Sequence, residues 1–357
     1  MPVKKEDSLK KLNWDEFYKV PLNKKLNYFD EDNHLFDCLF SQQFDRKILD
    51  HLFKLATKIR TIAKEKEGID WLQTLLSHKR AILYFIQPST RTFLSFQSAC
   101  YILGMKVSEI RSTSTSSELK GESPEDTVRT FSSYTDLIIM RHFEEGFAEK
   151  TAWLLNKTNR PIPVINGGSG KDQHPTQALL DLYTLNWAFN DKGGIDNKTI
   201  AMVGDLKRGR TVRSLTYLLK NYKNVKFIYV SPDYLKIGDD IKKFLIKHKM
   251  EFIETDNMNK AIKNVDAIYM TRIQDEYDIN GESKDIDYSK FHITKEHLKM
   301  IKKTAIIMHP LPRRQEIDPA VDDDPRAMYW RQERNGMWIR TALIAHIFGL
   351  DKVISAK

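Results

Sequence analysis

The amino-acid sequence predicts an α/β protein with two doubly wound parallel-sheet domains joined by helices and a C-terminal helix packing back across both. Three observations predict it. Short apolar runs rich in β-branched and aromatic residues, at 81–86, 137–140, 199–203 and 267–270, recur between longer segments of helical period, as buried parallel strands alternating with crossover helices do. The 357 residues are enough to bury two cores of ordinary size. The turn Asp191-Lys192-Gly193-Gly194 is the strongest linker signal in the chain. We therefore expect an N-terminal extension over 1–38, a first domain over 39–190, a second over 191–336, and the returning helix over 337–357.

In chain order, residues 1–33 are polar and lysine-rich, with Trp14, Phe17 and Tyr18 as the obvious anchors, and the sequence does not reveal their role. From Leu39 the pattern firms. Ser41 suits a helix cap, and Leu49, Leu52, Phe53, Leu55, Ala56 and Ile59 recur at helical spacing. The strand at 81–86 meets Pro88 and then Ser89-Thr90-Arg91-Thr92. Proline near a helix start and two capping residues predict a strand-to-helix turn. Such a turn leaves backbone N–H groups at the positive end of a helix, beside two hydroxyls and a guanidinium. From this stretch alone an anion site and a plain capped junction are equally good readings. The helix stops at Gly104, and 106–110 reads as a strand before a polar loop over 111–123. Ser123-Pro124-Glu125-Asp126 opens a helix with a capping serine, a first-turn proline and acids at the positive end. Lys120 falls on the serine-rich loop before it, where a lysine is usually just solvated.

Arg141-His142 stands at the carboxyl end of the strand at 137–140, where open parallel sheets bind ligands. The strand at 163–166 runs into Gly167-Gly168-Ser169-Gly170 and then Gln173-His174-Pro175-Thr176-Gln177. Pro175 marks the first helical position, so His174 sits at the cap and Gln177 one turn along. In the second domain strands are expected at 199–203, 226–230, 251–254, 267–270 and 304–308. The first ends in Gly204-Asp205-Leu206-Lys207-Arg208-Gly209-Arg210-Thr211, which lacks the glycine spacing of a dinucleotide site. The fourth ends in Thr271-Arg272-Ile273-Gln274 and the fifth in His309-Pro310-Leu311-Pro312-Arg313. Arginines beyond several strand ends suit a binder of multiple negative charges. The last helix, 337–348, is apolar on much of its surface.

Composition narrows the classes. A hydrophobic content of 41%, a charged content of 29% and no run near the ~20 apolar residues of a membrane span describe a globular chain. The first twelve residues have no apolar core of the secretory kind, so a cytoplasmic location is the expectation. Cys38 and Cys100 lie far apart in apolar contexts, which indicates buried thiols, with neither a disulfide framework nor a cysteine zinc site. The formal charge of +9 admits nucleic acid, but the lysines are dispersed and no RNA-binding signature is present. Attraction for anionic substrates accounts for it more simply.

Taken together, Ser89-Thr90-Arg91-Thr92, Lys120-Gly121-Glu122, Arg141-His142, Gln173-His174-Pro175-Thr176-Gln177, Asp205-Leu206-Lys207 with Gly209-Arg210-Thr211, Thr271-Arg272 with Gln274, and His309-Pro310-Leu311-Pro312-Arg313 occur in one order and spacing. Over residues 39–350 that pattern resembles the catalytic chains of the aspartate carbamoyltransferase family. The resemblance implies a carbamoyl phosphate-binding first domain and an aspartate-binding second one. It implies transfer of the carbamoyl group to the amino group of L-aspartate, in pyrimidine biosynthesis. Ser89, Thr90, Arg91 and Thr92 would hold the phosphate. Arg141 would reach phosphate and carbonyl oxygen, with Thr92 and His174 donating to that oxygen. Gln177 and the carbonyls of Pro310 and Leu311 would fix the carbamoyl NH₂. Arg210 and Arg272 would clamp the two aspartate carboxylates, with Gln274 and Lys120 assisting; an arginine facing ornithine's cationic side chain would repel it. The resemblance implies no cofactor and no metal in the chemistry.

It also implies that Ser116 and Lys120 come from a neighbouring chain, hence a homotrimer with shared active sites, alone or within a larger assembly with regulatory chains or dihydroorotase. Neither nucleic acid nor membrane is implied as a partner. The sequence departs from the family pattern at Phe93 and Gln97, where charged residues are usual, and at Ser169, where an acid is frequent. The competing readings are a transcarbamoylase with another acidic acceptor, such as a substituted ornithine, and an inactive RNA-binding or regulatory protein.

Overall fold

The computed structural model describes residues 9–32, 34–112, 121–170, 173–273 and 288–357. The chain divides into two compact units, Met1–Thr176 with Met337–Lys357, and Gln177–Gly336.

In the first unit the N-terminal extension is built into the body. Helix α1 (Trp14–Tyr18) opens on a reciprocal cap: the Asn13 side chain accepts from the Glu16 N–H, and the Glu16 carboxylate accepts from the Asn13 N–H, both at 3.0 Å. Helix α2 (Leu22–Lys25) and the small antiparallel ladder of β1 (Asp30–Glu31) with β2 (His34–Leu35) follow. Phe17 and Phe29 are fully buried, and the Trp14 ring lies 5.6 Å from that of Trp153. Lys25, itself buried, pairs with the buried Glu149 and donates to the Tyr18 carbonyl at 3.2 Å. Of the three anchors expected from the sequence, Phe17 and Trp14 join this core with Tyr28 and Phe29, whereas Tyr18 stays largely exposed against Trp14.

Helix α3 (Arg46–Ile62) buries the six apolar residues that its period predicts. Its cap differs from expectation. Ser41 opens a 3₁₀ turn, and Asp45 caps the helix by accepting from the Ile48 N–H at 2.8 Å. Helix α4 (Lys66–Leu72) buries only Gly68 and Leu72, too few positions to show as a period. Then come β3 (Arg80–Phe85), α5 (Thr90–Ile102), β4 (Lys106–Ile110), α6 (Pro124–Tyr134), β5 (Leu137–Arg141), α7 (Phe147–Leu155), β6 (Val164–Asn166) and α8 (Pro175–Phe189). Ser123 caps α6 as expected, accepting from the Asp126 N–H. The four strands are parallel in the order β4-β3-β5-β6. Central β3 and β5 are apolar almost throughout, whereas edge strand β4 is mostly exposed. Beside β6, Cys38 extends the ladder, donating to the Val164 carbonyl at 2.9 Å and accepting from Asn166 at 2.8 Å. Both cysteines are free, buried thiols, and burial pushes Cys100 up to about 12.

In the second unit β7 (Thr199–Val203), α9 (Arg210–Leu219), β8 (Lys226–Val230), α10 (Asp239–Lys247), β9 (Glu251–Thr255), α11 (Met258–Ala261), β10 (Ala267–Met270) and β11 (Ile306–Met308) form a five-stranded parallel sheet ordered β11-β10-β7-β8-β9. The last strand starts at Ile306, because the preceding residues make a turn in which the Ala305 N–H bonds the Lys302 carbonyl. The final helical segment also starts earlier than expected: α12 (Tyr329–Ile347) precedes a separate short helix, α13 (Asp351–Ala356).

Candidate active site

Each of the two parallel sheets reverses its strand order once. In the first unit the reversal lies between β3 and β5, in the second between β7 and β10. Loops leaving the carboxyl ends at such a point diverge and open a crevice. Residues 89–92 and Arg141 follow the strands of the first reversal and residues 205–211 and Thr271-Arg272 those of the second, while residues 173–177 and 309–313 follow the neighbouring strands β6 and β11.

At the first, Gln87 leaves β3 and donates to the Arg141 carbonyl at 3.1 Å, which ties the two strand ends together. Ser89 is the N-cap of α5 with extended backbone, and its side chain makes no capping bond, so the first-turn N–H groups are not consumed by the serine. Thr92 is buried, Arg91 half-buried and Thr90 exposed. The Arg141 guanidinium donates to the Gly167 carbonyl at 3.4 Å, at the end of β6.

The glycine turn that follows is organised by Asn166, whose Oδ1 accepts from both Gly168 and Ser169 N–H at 2.8 Å. Ser169 Oγ accepts from the His142 N–H at 3.0 Å. That gives the departure at Ser169 a structural role: a short hydroxyl closes the turn onto the end of β5. Gly168 has φ +99°, and a Cβ there would sit 2.6 Å from Cδ2 of His174. The buried His174 ring therefore packs directly on that glycine backbone. Gln173 accepts from the Ser41 N–H at 2.9 Å, which fixes the start of α8. His142 is buried among Tyr84, Phe143 and Phe147, and burial lowers it to about 4, so it is a neutral packing residue whose Nδ1 accepts from Glu144 N–H.

At the second reversal point, Gly204 has φ +117°, and a Cβ would come within 2.2 Å of the Thr271 carbonyl oxygen, so only glycine lets β7 and β10 end side by side. Thr271 Oγ1 donates to the Val203 carbonyl at 3.0 Å. Buried Asp205 accepts from the Arg208 N–H at 3.1 Å and shapes the turn into α9, at whose first position Arg210 stands half-buried. Arg272 is half-buried beyond β10, donating to the Ile273 carbonyl at 3.0 Å. After β11, buried His309 folds the Pro310-Leu311 segment back: its Nδ1 accepts from Leu311 N–H at 2.8 Å, and its Nε2 faces Glu316 at 2.7 Å. Burial opposes ionisation of Glu316, but bonds from His309 and the Arg314 N–H outweigh it and hold the carboxyl below its usual range.

Gln177 is held by a residue that the sequence reading did not single out. Fully buried Asp181, one turn further along α8, accepts at Oδ1 from Gln177 (2.9 Å) and Gln332 (2.7 Å), and at Oδ2 from the Tyr269 hydroxyl (2.7 Å). Gln332 in turn accepts from the His309 N–H at 2.9 Å. One buried network thus runs from Gln177 to the His309–Leu311 turn. The i,i+4 spacing of Gln177 and Asp181 was the one local signal available. Ser116, Lys120 and Gln274 lie outside the described residues.

Two family models match in tandem: the aspartate/ornithine carbamoyltransferase carbamoyl-P binding domain over residues 37–186, and the Asp/Orn binding domain over 196–347. The chain is 44% identical over 314 residues to a chloroplastic aspartate carbamoyltransferase of Arabidopsis thaliana, covering 87% of this chain and 77% of that one. The chain belongs to the aspartate carbamoyltransferase family. Among solved carbamoyltransferases, the catalytic subunit of M. jannaschii aspartate transcarbamoylase matches with TM-score 0.76 at 36% identity, over 90% of this chain and 99% of that one. The Trypanosoma cruzi aspartate transcarbamoylase in complex with carbamoyl phosphate and aspartate matches with TM-score 0.77 at 32% identity, over 86% and 95%. This carbamoyltransferase chain adds to the family domains the aromatic extension before residue 37.

Proposed function

We propose that the chain transfers the carbamoyl group of carbamoyl phosphate to the amino group of L-aspartate, giving N-carbamoyl-L-aspartate and phosphate, a step of de novo pyrimidine biosynthesis. The observation that carries this reading is that the described motif residues of both family domains stand beyond carboxyl ends of parallel strands, at the two reversal points and on the strands beside them. Ser89, Thr90, Arg91 and Thr92 bind the phosphate with the N-terminal N–H groups of α5. Arg141, Thr92 and His174 stabilise the carbonyl oxygen as it gains charge in the tetrahedral transition state, each well-placed donor contributing roughly 3–4 kcal/mol. Gln177 and the carbonyls of Pro310 and Leu311 take the carbamoyl NH₂. Arg210 and Arg272 each take one aspartate carboxylate in a forked pair, assisted by Gln274 and Lys120. The neutral amine of aspartate attacks the carbonyl carbon, the C–O bond to phosphate breaks, and the phosphate carries off the amine proton. Positioning supplies much of the acceleration, so no protein nucleophile is required.

Ser116 and Lys120 enter from a neighbouring chain of a homotrimer. The cytoplasm is proposed as its location from the sequence alone; the Arabidopsis relative is named chloroplastic, and fractionation of the source cells decides the matter. The activity is tested by colorimetric detection of carbamoylated product. Turnover with aspartate and none with ornithine is expected, and the reverse would overturn the acceptor. Mixing Lys120→Ala with Arg91→Ala chains is expected to restore part of the activity. Verified mixed trimers without rescue would refute shared sites.

A further inference from the structure

Away from the reversal points, four segments of the first unit bring titratable side chains together. His34 comes from β2, His51 from α3, His346 from the last turn of α12 and Asp351 from the first position of α13. His34, His346 and Asp351 each offer one ligand atom, and these atoms lie within 4.8 Å of one another. The His34 and His346 rings are 4.2 Å apart by centroid. Asp351 Oδ1 sits 2.8 Å from His346 Nδ1 and 2.6 Å from His51 Nε2. The three groups are half-buried, sheltered yet reachable from solvent.

We propose that His34, His346 and Asp351 form a site for a borderline divalent metal ion, with Zn²⁺ its best-suited occupant and His51 orienting the carboxylate. Two imidazoles and one carboxylate are the donor set such ions favour over Mg²⁺ or Ca²⁺, which take oxygen. Tetrahedral bonds of ~2.0–2.1 Å put ligand atoms ~3.3 Å apart, so the cluster has to contract by no more than about 1.5 Å. The outer partners have the pattern that ligating histidines use. His34 Nε2 lies 2.5 Å from the His346 carbonyl oxygen, and a proton donated there leaves Nδ1 with the free lone pair. The His346 proton facing Asp351 relocates to the other ring nitrogen when the metal takes Nδ1, so neutral imidazoles suffice. A hydrogen-bonded His–Asp cluster without metal is the competing account. It explains the Asp351 contacts with His51 and His346 and the His34 bond to the His346 carbonyl, so the two accounts part on metal uptake, which the Zn²⁺ titration reads.

His34 precedes the family match, which starts at residue 37. The ion would therefore pin the extension to the C-terminal helices, a structural role separate from carbamoyl transfer. The test uses the full chain, stripped with a chelator, then titrated with Zn²⁺ against a chromophoric competitor and with Co²⁺ by visible absorption. One Zn²⁺ per chain with Kd below about 1 μM is expected. His346→Ala, Asp351→Asn and His34→Ala are each expected to weaken binding by more than ~100-fold, and His51→Ala by ~10- to 100-fold. Zn²⁺ is expected to raise Tm in the parent protein and not in the ligand variants. Absence of stoichiometric uptake at 100-fold the expected Kd, or uptake that survives His34→Ala and His346→Ala, overturns the proposal. So does a parent Co²⁺ spectrum without the bands of a four-coordinate nitrogen–oxygen site, a readout that needs no variant to fold.

Discussion

Asp181 offers the most demanding test of the site. Its carboxylate is fully buried and accepts three hydrogen bonds at 2.7–2.9 Å, from Gln177, Gln332 and Tyr269. Bonds to a charged acceptor contribute ~1.5–3 kcal/mol and neutral ones ~0.5–1.5, so Asp181→Asn is expected to lose about 1 kcal/mol at each of three contacts. The new NH₂ must also face either the Tyr269 hydroxyl or an amide donor, which puts the expected destabilisation at about 3 kcal/mol in urea unfolding. The larger consequence concerns Gln177. Freed from a fixed acceptor, its amide no longer presents one face to the carbamoyl group, and a displacement of ~1 Å at such a position costs on the order of 10²-fold in rate. We expect kcat for carbamoyl aspartate formation to fall 10- to 100-fold, with a smaller change in the KM for aspartate. Tyr269→Phe removes one contact and leaves Gln177 held, so it is expected to cost about 1 kcal/mol of stability and less than ~3-fold in kcat. If Gln177→Ala is strongly impaired while Asp181→Asn keeps kcat within about 3-fold of the parent, the network does not position Gln177 and the reasoning is refuted. If both are near normal, the assignment of Gln177 itself is wrong.

Three further outcomes follow from the same geometry. Gly168→Ala places a Cβ 2.6 Å from the His174 ring at φ +99°, so the ring must move; kcat is expected to fall ~100-fold with a stability loss of ~1–3 kcal/mol, and normal turnover would remove His174 from the chemistry. Burial raises Asp37 to about 7, against the hydrogen bonds from Asn156 and the Val164 N–H that favour its ionised form. Its folded pKa lies above the unfolded value of ~3.9, so the native state holds the proton more tightly and the parent loses stability as pH rises from ~4 to ~7, by on the order of 4 kcal/mol. Asp37→Asn is expected to abolish that component, and unfolding profiles that stay parallel to the parent's between pH 4 and 8 would contradict it. Lys25→Met strands Glu149 as a buried carboxyl that burial already pushes up and Lys25 only partly offsets; it is expected to cost ~3–5 kcal/mol, whereas Lys25→Met with Glu149→Leu recovers most of it. Equal losses in the single and double variants would mean that the pair is not what anchors the extension.

What could be read from the amino-acid sequence follows from how far apart the interacting residues lie along the chain. Strands β3, β5, β7 and β10 were legible because both their faces are buried, which writes an uninterrupted apolar run into the sequence. The motif residues were legible because each sits within a few positions of a strand end. Asp181 was not, since its partners Tyr269 and Gln332 are 88 and 151 positions away, and its i,i+4 spacing from Gln177 does not by itself distinguish it from a solvated acid on a helix. The cap of α3 was misread for a different reason. Ser41 and Asp45 are both good capping residues one turn apart, and the choice is made by Gln43, whose Oε1 accepts from the Leu39 and Phe40 N–H groups and closes a 3₁₀ turn first.

The docked extension belongs with the long-range cases. Its polar, lysine-rich sequence left its role open, and Lys25 places its charge inside the body against Glu149, 124 positions along the chain. His34 belongs to the same segment and meets His346 across an even longer span. Polarity in the sequence therefore said nothing where the partner of a charged or imidazole group was remote. It informed where a strand end supplied the partner locally, because a parallel sheet that reverses its order must leave backbone donors and polar side chains open at that point. The motif residues beyond the strand ends were the readable part of this chain for that reason, and the groups that hold them in place were the unreadable part.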